Sequence, residues 1–370
     1  MDLGLPERYQ AYQSTKQGDR MTAIPQHVSS GRAVGIWLLV VAALIAAMVL
    51  VGGLTRLTGS GLSITQWQPI SGVVPPMSDQ AWQAEFDAYK QIPQYRLENR
   101  GMTLGEFKGI FWWEWSHRLL GRLIGFVFLL PFLWFAWRGS IPRSGYRRMI
   151  GLFALGGLQG VVGWWMVMSG LEVRVSVSQY RLAIHLGVAL ILFAAIMWTA
   201  FEYLRPKPSG AVAAPRARWA SWFAGGVYLQ MLLGALVAGL HAGLIYNTWP
   251  SMDGRVFPEG AFFGSPWWLN FFENAGLVQF DHRIGAYLIF FGAVALFWMA
   301  RTLKGARKIS AHTVLGVTLL QIALGVLTLL HQVPVALAAL HQITALALLT
   351  AAIWHAYEVS GASHAAALKA

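Results

Sequence analysis

The fold class follows from residues 34–55, which read VGIWLLVVAALIAAMVLVGGLT and contain no charged side chain. A helix needs about 20 mostly apolar residues to cross the hydrocarbon core of a bilayer. Seven further stretches are long and apolar enough, at roughly residues 117–137, 147–168, 181–203, 219–240, 282–300, 310–330 and 336–357. The sequence therefore predicts an all-α membrane protein with eight transmembrane helices.

The composition excludes several other classes of protein. Hydrophobic residues make up 56% of the chain and charged residues 12%, about half the charged fraction of an average soluble domain. This balance excludes a disordered chain and a coiled coil. The chain has no cysteine, which excludes thiolate metal sites, iron–sulfur clusters, cysteine nucleophiles and a disulfide scaffold.

The net charge of +12 is explained by membrane topology. Lysine and arginine are concentrated in the leader, residues 1–33, and in the connections after the second, fourth and sixth spans. Residues 243–281 contain one cation, Arg255, against four acidic residues. By the positive-inside rule, we predict that the leader, the connection 204–218 and the tail 358–370 are cytoplasmic and that the loops 56–116 and 243–281 face outward. No nucleic-acid partner is predicted.

The chain is a tandem duplication. His117-Arg118 aligns with His282-Arg283, and His185 aligns with His341. Each half contains four spans, so both halves cross the membrane in the same sense, as parallel repeats do. We predict two four-helix bundles side by side, an N-terminal one over residues 34–203 and a C-terminal one over residues 219–357.

Four of the ten histidines recur in both halves: His117, His185, His282 and His341. An ionisable side chain inside a membrane span is costly unless it has a partner. Two imidazoles at equal depth in one bundle can hold a haem iron between them, whereas zinc usually has three or four ligands. Bis-histidine haem is favoured over zinc and over simple interhelical hydrogen bonds. His241 and His331 are weaker candidates, since Gly59 and Ser169 stand at their counterpart positions.

Glycines are numerous near these histidines, and they let helices and a porphyrin approach closely. The candidates from the sequence are Gly121, Gly125, Gly156, Gly157 and Gly160. Ordinary helix packing is the alternative explanation for most of them.

The duplication is broken three residues before the second-span histidines, where Glu114 stands in one half and Gln279 in the other. A spacing of three places the carboxylate and the imidazole on one face of a helix. We predict that Glu114 is a catalytic base or stabilises developing positive charge; the alternative is an interfacial glutamate that pairs with Arg118 or Arg122. Arg118 and Arg283 either bind haem propionates or anchor the outer interface.

The chain resembles the haem A synthase family, in the subclass without cysteine. Residues 106–118, EFKGIFWWEWSHR, with Gly121-Arg122, resemble the second-span motif of that family, and residues 55–64, TRLTGSGLSI, with Trp67 and Pro69, resemble its first outer loop. Residues 247–250, NTWP, and 280–283, FDHR, resemble the equivalent motifs of the second half. The resemblance covers residues 34–357.

The resemblance implies a bacterial inner-membrane enzyme that oxidises a ring methyl group of haem O to the formyl group of haem A in two successive oxidations, for terminal oxidases. It implies that His282 and His341 ligate the iron of a resident haem b, that His117 and His185 bind the iron of the substrate, haem O, and that Glu114 is the essential carboxylate. Two permanent histidine ligands would leave the substrate iron without an open position.

Two other functions share the histidine pairs: a dihaem b-type membrane electron-transfer protein, and a haem transporter or chaperone. The sequence does not identify the redox partner. It leaves open a homo-oligomer and contacts with haem O synthase or with terminal oxidase assembly factors. The polar residues 78–108 are predicted to form an outer helix pair or a lid.

Overall fold

The computed structural model describes residues 26–361 except 209 and 216, with side chains from residue 31. Most of the predicted leader and most of the predicted tail lie outside these residues. Eight helices in the described part are long and apolar enough to cross a membrane, and no strand is found there. They are α1 Gln26–Leu57, α2 Leu104–Trp137, α3 Arg143–Met168, α4 Gln179–Leu204, α5 Arg218–Gly239, α6 Ala275–Ala300, α7 Ala306–Leu330 and α8 Val335–Val359. The predicted fold class is confirmed.

The helices extend beyond several predicted spans. Helix α1 begins at Gln26, inside the predicted leader, and α2 begins at Leu104, inside the predicted outer loop 56–116. Hydropathy detects only the apolar part of a helix, whereas the start of α2 is fixed by a capping box between Thr103 and Glu106. His117 therefore lies more than three turns into α2 rather than close to its outer end.

The helices pack as two four-membered rings with the same order. In the first half, α1 and α3 each pack against both α2 and α4; in the second half, α5 and α7 each pack against both α6 and α8. The two rings meet where α4 packs on α5 and where α8 packs on α1 and α4. One continuous core of buried side chains, including Leu38, Leu190 and Val314, runs through both rings. Van der Waals packing of this kind is what associates helices in lipid.

An outer platform covers the exposed start of α2. It consists of two short helices, Asp79–Tyr89 and Pro93–Leu97, as the helix-pair prediction for residues 78–108 expected. Trp82 contacts Phe111 edge-on with ring centroids 4.9 Å apart, and Phe86 stacks on Phe107 at 5.0 Å. These aromatic contacts fix the outer turns of α2, and hence the turn that carries Glu114.

The connection between the halves is tied to the end of α8. The Lys207 ammonium donates to the backbone oxygen of Ser360 at 2.6 Å and to the backbone oxygen of Tyr357. Burial lowers the pKa of Lys207. The connection, predicted as residues 204–218, lies between the end of α4 at Leu204 and the start of α5 at Arg218.

Candidate functional site

Each recurrent histidine packs against a glycine of the preceding long helix. A Cβ built on Gly52, Gly163, Gly234 or Gly325 would lie 2.8, 2.9, 3.2 or 2.8 Å from Cε1 of His117, His185, His282 or His341, respectively. Real Cβ atoms essentially never come within 3.0 Å of another heavy atom in this way. Glycine at these positions lets the imidazole lie directly on the neighbouring backbone.

The imidazoles of His282 and His341 face each other across the second bundle. Their ring centroids are 6.5 Å apart and their planes are inclined by 79°. Two metal–nitrogen bonds of about 2 Å, plus the distance from each nitrogen to its own ring centre, account for a separation of this size. The pair therefore fits an iron held between two imidazoles. His117 on α2 and His185 on α4 are the equivalent residues of the first bundle.

Glutamine amides lie beside three of the four imidazoles. The Nε2 amide nitrogen of Gln159 lies 3.1 Å from His185 Nδ1, and that of Gln230 lies 3.1 Å from His282 Nδ1. Gln321 Nε2 lies 3.3 Å from His341 Nε2. A polar side chain on one imidazole nitrogen orients the ring so that the other nitrogen can bind a metal.

Glu114 is 3% exposed and accepts hydrogen bonds at both of its oxygens. Oε2 accepts from the Ser63 hydroxyl and from the backbone N–H of Ile64, both at 2.8 Å. Oε1 accepts from Arg118 Nη2 at 2.6 Å and Nε at 3.1 Å. The carboxylate is thus held by a guanidinium and by the first outer loop. The predicted alternative, a pair with Arg118, is present in the structure.

Arg118 also ties the outer loop to α2, since it donates to the backbone oxygens of Ile64 at 2.7 Å and Gln66 at 2.9 Å. In the second half, Arg283 donates to the Tyr246 oxygen at 3.0 Å and to Gln279 Oε1 at 3.2 Å. Both arginines therefore anchor an outer loop. Propionate binding by either one stays a prediction.

Gln279 takes the place of Glu114, with the polarity of its hydrogen bonds to the loop reversed. Its amide donates to the backbone oxygens of Ala242 at 2.9 Å and Tyr246 at 3.1 Å, whereas Glu114 only accepts. The two halves thus share one loop attachment, but only the first has a carboxyl group at this position. A second carboxyl group near Arg118 and Glu114 is Glu85 of the outer platform. The pKa of Glu85 is raised, mainly by burial; Arg118 acts in the opposite direction and Glu114 in the same direction.

The structure places the remaining candidates outside these sites. His241 accepts from Arg56 Nη2 at 2.8 Å and joins the outer ends of α1 and α5. His331 Nδ1 lies 2.9 Å from the backbone oxygen of Leu327 at the end of α7. A Cβ on Gly125, Gly157 or Gly160 would meet nothing within 4 Å, so these predicted glycines are not in close contact with the histidines.

The duplication aligns Gln159 and Gly163 with Gln321 and Gly325, but sequence reasoning did not connect this spacing with support of the histidines. A glutamine followed four residues later by a glycine occurs at Gln159/Gly163, Gln230/Gly234 and Gln321/Gly325, and the corresponding positions on α1 are Met48 and Gly52. A spacing of four places both side chains on one helix face, and that face meets a histidine each time. The motif recurs on the first and third helices of the bundles.

The second bundle provides an imidazole pair whose separation suits an iron between two rings. The first bundle provides the two equivalent imidazoles, His117 and His185, with one buried carboxylate a turn before His117. Such a pair binds a haem iron. A buried carboxylate beside a bound substrate can accept a proton or stabilise positive charge.

Comparison with known proteins agrees with this geometry. Residues 35–353 match the family model COX15-CtaA, described as cytochrome oxidase assembly protein. The chain is 54% identical to a haem A synthase of Bradyrhizobium sp. (strain BTAi1) over 92% of this chain and 94% of the relative. It is 50% identical to that of Parvibaculum lavamentivorans over 92% and 98% of the two chains. It is 55% identical to that of Rhodopseudomonas palustris (strain CGA009) over 86% and 87%. The chain belongs to this family of membrane-embedded cytochrome oxidase assembly proteins, together with the haem A synthases.

Proposed function

We propose that this protein is a haem A synthase, an oxidoreductase that converts a ring methyl group of haem O to the formyl group of haem A. The observation that carries the proposal is the asymmetry of the duplicated site. Both halves present an imidazole pair, but only the first places a buried carboxylate, Glu114, one turn from a histidine. Relatives with this name match more than nine-tenths of the chain at 50–54% identity.

The second half is proposed to hold a resident haem b through His282 and His341. The 6.5 Å separation of their rings supports this assignment. A haem bound there supplies a one-electron redox centre. Gly234 and Gly325 give the imidazoles room, and Gln230 and Gln321 orient them.

The first half is proposed to bind haem O, with His117 and His185 at its iron. The overall change, R–CH3 + H2O → R–CHO + 4 H⁺ + 4 e⁻, requires two successive two-electron oxidations and the loss of water from a diol. The electrons leave to a redox partner that is not part of this chain. Glu114 accepts hydrogen bonds from Arg118 and Ser63. It is proposed to accept a proton from attacking water or to stabilise positive charge on the oxidised methyl carbon.

The location follows from topology and from the relatives. We place the protein in a bacterial inner membrane with both termini in the cytoplasm, because the cationic connections share one side. The two imidazole pairs then lie toward the outer side of the membrane. Haem O synthase would deliver the substrate, and terminal oxidase assembly factors would receive the product.

A second function is favoured by one observation: both oxygens of Glu114 are already bonded to the outer loop and to Arg118. The alternative is a dihaem b-type electron-transfer protein, which would not need a catalytic carboxylate. Haem O and haem A levels in cells with and without the protein separate the two functions, and Glu114→Gln tests the catalytic role. We expect this variant to lose about 10²-fold or more of haem A formation while its resident haem spectrum is unchanged.

The matched control is Glu106→Gln on the same helix. Glu106 accepts from Thr103 in the capping box, where glutamine serves equally well. Pigments are extracted from cells that produce each variant, and haem O and haem A are quantified. If cells with Glu114→Gln contain as much haem A as wild-type cells, the catalytic role of Glu114 is excluded. If haem O and haem A levels are the same in cells with and without the protein, electron transfer is favoured.

The resident haem has its own test. We expect His282→Ala to abolish the low-spin haem spectrum of the purified protein, because the iron loses one of its two imidazoles. His312→Ala is the control, since His312 Nδ1 lies against the backbone oxygen of Lys308 near the opposite end of the bundle. An unchanged spectrum in His282→Ala would remove the ligand assignment.

A further inference from the structure

The four imidazoles are not equally supported. Gln159 and Gln230 contact their histidines with the same geometry, 3.1 Å from Nε2 to Nδ1 and 2.8 Å from Nε2 to the backbone oxygen of that histidine. Gln321 instead contacts His341 at Nε2, and in the described residues Nδ1 of His341 is buried without a hydrogen-bond partner. His117 is the one of the four that has no glutamine contact in this part of the chain.

Met48 stands where the repeat calls for a glutamine beside His117. It precedes Gly52 by four residues, as Gln230 precedes Gly234. Its terminal methyl lies 3.4 Å from a Cβ built on Gly121, one turn beyond His117. Within the described residues, Nδ1 of His117 is buried and has no hydrogen-bond partner. A thioether is a weak acceptor, so Met48, whose methyl lies against Gly121, cannot give His117 the hydrogen bond that a glutamine gives at the equivalent position.

The glutamines have an unused oxygen suited to a ligated imidazole. An imidazole that binds iron through Nε2 carries its proton on Nδ1 and must donate it. In the described part of the chain, Oε1 of Gln159 and Oε1 of Gln230 are buried without a hydrogen-bond partner. Half a turn of either amide presents this oxygen to Nδ1–H, at the cost of the hydrogen bond that Nε2 donates to the backbone oxygen of the same histidine. Support of this kind is typically worth 10–100-fold in metal affinity.

We propose that His117 is the labile axial ligand of the substrate haem, and that Met48 makes it labile. This inference rests on the proposed function, in which His117 and His185 bind haem O. His185, held by Gln159, stays on the iron, while the bond between His117 Nε2 and the iron breaks and reforms without a change of oxidation state. Glu114 lies one turn before His117 on α2. The iron face that opens is therefore the face on the side of the carboxylate, and the substrate iron gains an exchangeable position.

Carbon monoxide measures this lability, because it binds ferrous haem only where an axial ligand leaves. The purified full-length protein with its resident haem is reduced and titrated with carbon monoxide. We expect the wild-type resident haem to resist binding and Gln230→Met, which gives His282 the surroundings of His117, to bind carbon monoxide 10–100-fold more tightly. Gln83→Met is the matched control: Gln83 lies on the outer platform, where it donates to Asp87 Oδ1 at 2.9 Å.

The reciprocal variant tests the first half. Protein loaded with added haemin as the probe is reduced and titrated in the same way, with the resident haem spectrum as the check on folding. We expect the second haem of the wild type to bind carbon monoxide and Met48→Gln to weaken that binding 10–100-fold. Equal carbon monoxide affinities in wild type and Met48→Gln, or in wild type and Gln230→Met, would overturn the inference.

Failure of the proposed function gives a different result. If haemin uptake by the first half is the same in the wild type and in a His117→Ala, His185→Ala double variant, these histidines do not bind the substrate. The proposed site is then wrong, and the inference falls with it. If uptake falls in the double variant but Met48→Gln changes nothing, only the lability of His117 is excluded.

Discussion

Gly325→Ala is the sharpest test of how the resident site is built. A Cβ at this position would lie 2.8 Å from Cε1 of His341, whereas ordinary contact begins at 3.4 Å. The imidazole, the α7 backbone or both must therefore move by about 0.6 Å. Metal–ligand distances tolerate only about 0.2 Å. We expect the free energy of unfolding to fall by about 1–3 kcal/mol from overpacking and haem affinity to fall 10–100-fold.

Two other glycines provide a graded series. A Cβ on Gly234 would lie 3.2 Å from Cε1 of His282, so Gly234→Ala should have a smaller effect of the same kind. Gly316 lies on α7, like Gly325, but a Cβ there would meet nothing within 4 Å. Gly316→Ala should keep the haem and stabilise the helix by about 0.5–1 kcal/mol.

The assay is the ratio of low-spin haem absorbance to protein in detergent-purified samples, together with the midpoint of thermal unfolding. The expected order of haem retention is Gly316→Ala, then Gly234→Ala, then Gly325→Ala. Wild-type haem content in Gly325→Ala, or an equal loss in Gly316→Ala, would refute the account of the imidazole packed on glycine.

Two further predictions concern other parts of the chain. Gly52→Ala places a Cβ 2.8 Å from Cε1 of His117, so haem A in extracted pigments should fall while the resident haem spectrum stays the same. Burial, and then Arg56, lower the pKa of His241 below its ordinary 6.5. His241 therefore takes up its proton at a lower pH in the folded protein than in the unfolded chain. The stability that this difference contributes is lost as the pH falls below about 6.5. Relative to His241→Gln, the wild-type unfolding midpoint should decline more steeply between about pH 7.5 and 5.5; parallel curves would contradict this.

The sequence was sufficient for the parts of the fold that depend on hydropathy and repetition. Apolar length identified all eight helices, and the pairing of His117 with His282 and of His185 with His341 predicted two equivalent bundles. Hydropathy alone was not sufficient for the start of α2. The capping box between Thr103 and Glu106 is a local sequence signal that hydropathy does not detect, and the outer turns also depend on aromatic contacts with a separate outer helix. Such contacts join residues far apart in the chain and leave no periodic pattern.

The same division applies to the candidate site. Ionisable residues in apolar spans are conspicuous, so the histidines and Glu114 could be singled out from the sequence. The partners of Glu114 could be predicted only in part, since Arg118 is four residues away but Ser63 belongs to a distant loop. The glycines beside the histidines were predictable in principle. The repeated spacing of glutamine and glycine marks them, whereas local glycine density pointed to Gly125 and Gly157.

Gly52 and Gly53 have a consequence for the relation between the two bundles. The bare backbone of Gly52 receives the ring of His117, and the bare backbone of Gly53 receives the amide of Gln342, the residue after His341. Neighbouring residues of one helix thus touch the ligand-bearing helices of both halves. A single peptide unit of α1 separates the helix that carries His117 from the helix that carries His341. The two copies of the duplicated unit are in direct contact at this point, so a change in the position of either helix meets the same turn of α1.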